Sequence, residues 1–287
     1  MYRRTCLKAV VPAGCALAAP AFAVQSDRLR IGLTPVILAD QVAFLSRWGD
    51  YLSEQISSRV VFIARESYQL ILEQLFSGQI DVAWICGYPF VRYQQQLSLL
   101  SVPLYLGAPT YRAYLIRSRT SSRDVQGWGD LRDKVLAYSD PLSNSGWLVA
   151  QVELAKAGVL ARDLKRTFFA YGHRNVAEAV ASGLAHAGSI DGYVWETMLV
   201  QKMAAVAQTE VVWKSENFGF PPIVARRGGT HPRLQALQSA LVHMAEVKEG
   251  KDLLRSLNLT GFVAGTPAMF DSIRQQALAV TSSGVPA

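Results

Sequence analysis

Apolar positions along this chain follow two alternating periods. Leu29–Leu33 is a short apolar run ending at Thr34-Pro35, which predicts a strand. Val42, Leu45, Trp48, Leu52 and Ile56 then recur at helical spacing, and the β-branched run Val60–Ile63 predicts a second strand. Leu70, Ile71, Leu75 and Phe76 fit a helix stopped by Gly78. Ile80–Ile85 predicts a buried strand, with a helix from Val91 onward. Val135–Tyr138, Arg166–Phe169, Gly188–Ile190 and Glu210–Trp213 predict later strands, each flanked by helix-like segments. Strands alternating with helices imply an α/β fold with parallel sheets and crossover helices.

Two segments break this rhythm. Thr110–Arg117 is a long strand-like run, and Phe218–Arg226 is another that contains Pro221-Pro222. About a hundred residues separate them, the size of one α/β lobe. The simplest architecture is bilobed, with residues 24–109 and 218–287 in one lobe and 110–217 in the other. Residues 110–117 and 218–226 would then be hinge strands, and a cleft would form where strand ends and helix N-termini converge. Two independent tandem domains fit less well, because the C-terminal third reads as nearly all helix.

Composition adds a compartment. The chain has 287 residues, half of them hydrophobic and 18% charged, which excludes a disordered chain. Arg3, Arg4 and Lys8 open the sequence, Ala9–Ala19 is largely apolar, and Ala21-Phe22-Ala23 fits the small-x-small rule of signal peptidase. Cleavage after Ala23 is expected, with delivery to the periplasm. Arg3-Arg4-Thr5-Cys6-Leu7-Lys8 also resembles the twin-arginine export motif, and Pro12 argues against lipidation at Cys15. Removing 23 residues leaves 264 and lowers the formal charge from +7 to +4, because three basic residues and no acids go with it. Cys86 becomes the single thiol, so the exported chain must be held by its core and not by disulfides. The remaining basic residues are scattered, and an exported chain is removed from nucleic acid.

The candidate chemistry lies in strand-to-helix turns. Tyr138-Ser139-Asp140-Pro141-Leu142-Ser143-Asn144-Ser145-Gly146-Trp147 follows an apolar strand and opens a helix. Small hydroxyl and amide residues at a helix start can cap it, or can receive an anion at the positive end of its dipole. Ile190-Asp191-Gly192-Tyr193 ends a strand on a carboxylate, which can cap the next helix or accept hydrogen bonds from a ligand. Tyr68, the Cys86-Gly87-Tyr88 turn and His173 occupy further turns of the same kind. His173 can donate to an anion from either ring nitrogen.

The ordered segments DVAWICGYPFV, TYRAYLIRSR, DPLSNSGWLV, YGHRNVAEAVASG and IDGYVWE resemble the phosphonate/phosphite/phosphate-binding family of ABC-transporter periplasmic proteins. The resemblance runs from about Leu29 to Pro222. It implies a type II periplasmic binding-protein fold that holds a tetrahedral oxyanion. Ser143, Asn144 and Ser145 would grip the oxygens, Tyr68 and Tyr88 would close from the opposite lobe, His173 would add a donor, and Asp191 would pair with an acidic OH or an amino group. Two departures touch the first-lobe contacts: Cys86-Gly87 stands where the family often has Gly-Pro, and Phe90 where it often has tyrosine.

The implied protein is a monomeric receptor without a cofactor or metal, read by a membrane permease. An alternative reading makes Cys86 a ligand for a soft metalloid such as arsenite. Some relatives resemble sensors that signal arsenite to a histidine kinase through a cysteine, so the partner would then be a sensor-kinase ectodomain. A hydrolase using Ser143, His173 and Asp191 is more remote, because no serine sits in a G-x-S-x-G elbow and no histidines pair at metal-ligand spacing.

Overall fold

The computed structural model describes residues 28–34 and 42–282. The expected export signal, the twin-arginine motif and Cys15 lie outside the described residues. None of the described helices is long and apolar enough to cross a membrane.

The chain begins with strand β1 (Arg28–Leu33), helix α1 (Val42–Ile56), β2 (Arg59–Ala64), α2 (Tyr68–Phe76), β3 (Val82–Trp84), α3 (Gly87–Arg92) and β4 (Leu97–Leu104). It then enters a second sheet with β5 (Thr110–Ser118), β6 (Val135–Tyr138), α4 (Val149–Lys156), β7 (Arg166–Phe169), α5 (His173–Ala181), β8 (Ala187–Asp191), α6 (Gly192–Val200) and β9 (Thr209–Gly219). β10 (Ile223–Arg226) and β11 (Gly261–Ala264) rejoin the first sheet, and a helix over Asp271–Ser282 follows. The strand orders are β11-β4-β10-β3-β1-β2 and β7-β6-β8-β5-β9. The molecule is thus two α/β lobes.

Burial explains the elements. Helix α1 turns Phe44, Trp48, Tyr51, Leu52 and Ile56 inward, the stripe that the apolar period foretells. Trp48 stacks on Phe62 at 4.7 Å and meets Trp84 edge-on at 6.0 Å. In the second lobe Leu136, Ala137, Val176, Val180 and Ile190 are fully buried between sheet and helices.

The sheets are mixed, not parallel throughout. β1 pairs in parallel with β2 and β3, whereas β10 is antiparallel to both β3 and β4, and β11 is antiparallel to β4. In the second sheet β5 runs antiparallel to β8 and β9. These antiparallel strands flank the crossings, where the chain changes lobe instead of looping back through a helix. The helix expected from Val91 ends at Arg92, and β4 follows almost at once. The C-terminal third is also not purely helical, since β10 and β11 complete the first sheet.

The crossings lie side by side. Thr110 pairs with Gly219 and Tyr111 with Phe218, and the Phe220 N–H donates to the Pro109 carbonyl at 2.9 Å. The run Phe218–Arg226 is not one strand, because it breaks between Gly219 and Ile223 at Pro221-Pro222, whose rings cannot donate to a ladder. Trp84 Nε1 donates to the Pro221 carbonyl at 2.9 Å and fixes the returning segment to the first lobe. Gly219 has no alternative there: a Cβ would lie 2.3 Å from the Met269 carbonyl oxygen. The helix Asp271–Ser282 packs on both α3 and α4, a further tie between the lobes.

Candidate ligand-binding site

The site forms at the facing ends of strands from both lobes. β6 delivers Tyr138 and then a turn, Ser139–Ser143, before the chain opens into a wide π-helical turn over Asn144–Leu148 that leads into α4. The Leu148 N–H reaches the Ser143 carbonyl at 3.0 Å, an i→i+5 bond. Such turns widen a helix start and recur at functional sites. Ser143 caps it: its Oγ accepts from the Gly146 N–H at 3.0 Å. A Cβ on Gly146 would come within 1.8 Å of Ser139 Oγ, so only glycine lets the two strands of this turn meet.

The lobes are closed over this turn. The Asn144 N–H donates to Cys86 Sγ across the cleft at 3.2 Å. The Tyr68 N–H donates to Asp140 Oδ2 at 3.2 Å, and Tyr88 stacks on Trp147 at 6.0 Å. Tyr68 Oη and His173 Nε2 approach to 3.4 Å. All eight residues singled out from the sequence (Tyr68, Cys86, Tyr88, Ser143, Asn144, Ser145, His173 and Asp191) are therefore buried.

Their protonation states follow from that burial. His173 Nδ1 accepts from the Asp191 N–H at 3.1 Å, and desolvation pushes the imidazole down to about 3. The ring is neutral, and Nε2 carries its proton toward Tyr68. The Tyr68 hydroxyl can accept that proton's hydrogen bond and keep its own to give. Asp191 caps α6 through Oδ1, which accepts from the Val194 N–H at 3.2 Å, while desolvation raises its carboxyl to about 7. Burial also raises Asp140, partly offset by the N–H groups of Leu142 and Tyr68.

Four buried side-chain atoms here have no well-formed hydrogen bond among the described residues: Ser139 Oγ, Asn144 Oδ1, Asp191 Oδ2 and Ser145 Oγ, the last of which lies beside the Tyr111 hydroxyl. Leaving such an atom unsatisfied costs about 1–3 kcal/mol each. Four within one closed cleft mark a place built for a polar guest. Among the described residues no lysine or arginine makes these contacts. Helix N-termini and neutral hydroxyl donors face this place, together with the Asp140 and Asp191 carboxyl groups.

Sequence reasoning missed three participants. Tyr111 Oη accepts from Asn144 Nδ2 at 3.0 Å, Asp140 ties the lobes, and Ser139 contributes an unsatisfied hydroxyl. Ser139 and Asp140 stood within the serine-rich segment, where their small polar character was the available signal. Phe90 does not face the site but packs against Phe270 at 4.7 Å.

The other chemistries do not match this geometry. Burial pushes the Cys86 thiol up to about 11, so in this closed form its sulfur is a neutral hydrogen-bonding group. His173 is not aligned as a base on Ser143, because its nitrogens face the Asp191 backbone and Tyr68. Asp191 meets the imidazole through its N–H, not its carboxylate, so the order of a catalytic triad is absent here.

Known proteins share this architecture. The structure of PhnD1 from Prochlorococcus marinus in complex with methylphosphonate superposes with a TM-score of 0.79 at 19% identity, covering 89% of this chain and 99% of that one. A binding protein component of an ABC phosphonate transporter from Pseudomonas aeruginosa gives 0.80 at 21% identity, covering 91% and 89%. Both have the type II periplasmic binding-protein fold, which this chain shares. The phosphate-import protein PhnD of Mycolicibacterium smegmatis is 28% identical over 179 residues, 58% of this chain and 55% of that protein. The chain thus spans about half the length of that curated relative. Residues 31–270 match the family described as ABC transporter, phosphonate, periplasmic substrate-binding protein, and the chain belongs to that family.

Proposed function

We propose that this protein captures a small tetrahedral oxyanion of the phosphonate, phosphite or phosphate class between its lobes and presents it to an ABC-transporter permease. The observation that carries the reading is the set of four unpartnered polar atoms, three from the turn into α4 (Ser139, Asn144 and Ser145) and one from the start of α6 (Asp191). The hydroxyls of Ser139, Ser143, Ser145 and Tyr68 supply neutral donors, and His173 Nε2–H orients Tyr68. Asn144 Oδ1 is an acceptor at every pH, and Asp191, raised to about 7, donates when protonated and accepts when ionised, so the amide oxygen favours a ligand that brings a proton: a monoprotonated oxyanion, or one with an ammonium group.

The mechanism is clamp closure. The ligand settles on the helix start of the second lobe, and Tyr68, Cys86 and Tyr88 then close over it from the first. A ligand shifts the lobes only by its differential affinity for the closed form. Satisfying four buried groups that are otherwise orphaned supplies that difference. The permease then reads the closed shape. The resemblance to PhnD1 bound to methylphosphonate and to the phosphate-import protein supports this ligand class.

A thermal-shift panel of phosphate, phosphite, methylphosphonate, aminoethylphosphonate, sulfate and arsenite tests the reading. A cognate oxyanion at about 100-fold its Kd is expected to add roughly 2.7 kcal/mol of stability. If none of the phosphorus oxyanions raises the melting temperature, the reading fails.

A further inference from the structure

We propose that Tyr111 is a positioning residue that turns the Asn144 amide so that its oxygen, and not its NH2 group, faces the ligand, restricting the receptor to ligands that bring a proton. The proposal rests on the oxyanion reading above and names what sets its selectivity.

The argument begins with the amide. Asn144 is fully buried, and Tyr111 is 2% exposed. Asn144 Nδ2 donates to Tyr111 Oη at 3.0 Å, which occupies the donor end of the side chain. The acceptor end, Oδ1, is left buried without a partner. The backbone N–H of the same residue donates to Cys86 Sγ at 3.2 Å, and the Tyr111 hydroxyl hydrogen-bonds the same sulfur, which commits the phenol proton there and leaves Oη to accept from the amide. The side-chain amide is therefore held through its NH2 group by Tyr111 alone, and its unpaired atom is an acceptor.

An acceptor at this place discriminates. An amide oxygen does not titrate, so it offers no proton at any pH. A ligand that presents only bare oxygens to it leaves Oδ1 unsatisfied and adds lone-pair repulsion. A ligand with an OH or an ammonium satisfies it. Asp191 cannot supply the same test, because its carboxyl can take up a proton and become a donor. The ionisable groups gathered at the cleft are Tyr68, Cys86, Tyr88, Asp140, His173 and Asp191. Burial holds His173 down to about 3 and Cys86 up to about 11, outside the working range, and raises the Tyr68 and Tyr111 phenols further. Asp191, raised to about 7, titrates within this range beside Tyr111, so the two proteins are compared in an Asp191→Asn background, where that group never ionises, and Asp140 keeps the N–H groups of Leu142 and Tyr68 in both.

Tyr111→Phe keeps the ring and removes the hydroxyl. The amide then has no partner to hold its NH2 group away, and it can rotate to offer N–H donors to the ligand. Methylphosphonate is the probe, with affinity measured by calorimetry from pH 5.5 to 8.5. In the Asp191→Asn background the protein that keeps Tyr111 is expected to lose affinity about tenfold per pH unit more steeply than Tyr111→Phe once the pH exceeds the second ionisation of methylphosphonate. The variant is expected to take up about one proton fewer per ligand bound, read from buffers of different ionisation enthalpy. Equal slopes and equal proton uptake in the two proteins overturn the proposal. Failure of the wild type to bind any phosphorus oxyanion overturns the underlying reading instead.

A second measurement needs no substitution. In the wild-type complex the Asn144 side-chain NH2 is expected to show nuclear Overhauser contacts to the Tyr111 ring and none to the methyl group of methylphosphonate. Contacts to the ligand methyl, with none to Tyr111, would also overturn it.

Discussion

The backbone N–H of Asp191 donates to His173 Nδ1 at 3.1 Å, and this one bond decides which face of the imidazole is a donor. With Nδ1 committed as an acceptor, the neutral ring must carry its proton on Nε2, which points across the closed cleft to Tyr68 Oη. A backbone donor cannot change its protonation state, so the tautomer is fixed for as long as β8 runs beside α5.

His173 is accordingly expected to remain neutral from pH 5 to pH 8, because desolvation holds it down to about 3. Nitrogen-detected NMR of the imidazole should show one protonated nitrogen, Nε2, throughout that range. A titration near the ordinary histidine value would contradict the buried, closed arrangement. His173→Ala removes the orienting donor for Tyr68 and is expected to weaken oxyanion binding by roughly 0.5–1.5 kcal/mol, the worth of one hydrogen bond.

Asp191 gives the closed form a pH dependence with a definite sign. Its carboxyl rises from 3.8 to about 7 on burial, so the closed form holds its proton more tightly than the exposed side chain does. The contribution is fully present below about pH 4 and is lost as the pH rises to about 7. The protein in this closed form is expected to melt at a lower temperature at pH 7.5 than at pH 5. Asp191→Asn, which never ionises, should shrink that difference, and Asp140 would account for a remainder of the same sign. An unchanged difference in Asp191→Asn would locate the effect elsewhere.

Gly146→Ala tests the turn itself. The new methyl would lie 1.8 Å from Ser139 Oγ and 2.7 Å from Ser139 Cβ, inside a fully buried segment. Overpacking of this kind costs about 1–3 kcal/mol, and oxyanion binding should fall with it. Gly127→Ala is the matched control, since nothing lies within 4 Å of its added Cβ. Chemical denaturation should place the control within about 0.5 kcal/mol of the wild type.

Cys86 reports on closure. Its thiol is 1% exposed, is raised to about 11, and takes the Asn144 N–H across the cleft. Reaction with an aromatic disulfide reagent at pH 7.5 is expected to slow at least tenfold when a cognate oxyanion closes the lobes. A rate that ligand leaves unchanged would mean that the thiol is not covered by closure.

Much of this was readable from residue order, and the reason is local. Val42–Ile56, Val135–Tyr138 and Arg166–Phe169 are fixed by short-range periodicity, and they appear with those bounds. The turns carrying Ser143–Ser145, His173 and Asp191 were visible because small polar residues follow apolar strands and begin helices. β4 was not visible, since Val91, Leu97, Leu100 and Leu104 mimic a continuing helix. Only the sheet contacts with β10 and β11 make that stretch extended. The mixed pairing was hidden for the same reason, because strand direction depends on a partner far away in sequence, as with Arg117 and Ala187 or Ala225 and Val82.

The sequence alone determined the compositional class of this protein, its α/β rhythm and the chemical character of its turns, all of which depend on neighbours a few positions apart. The tertiary structure alone decided that Tyr111 meets Asn144, that Cys86 meets the Asn144 N–H, and that four polar atoms are left enclosed without partners. Those relations arise when two lobes close on each other, and burial then converts ordinary side chains into a neutral donor histidine, a proton-holding carboxyl and an amide with a fixed direction.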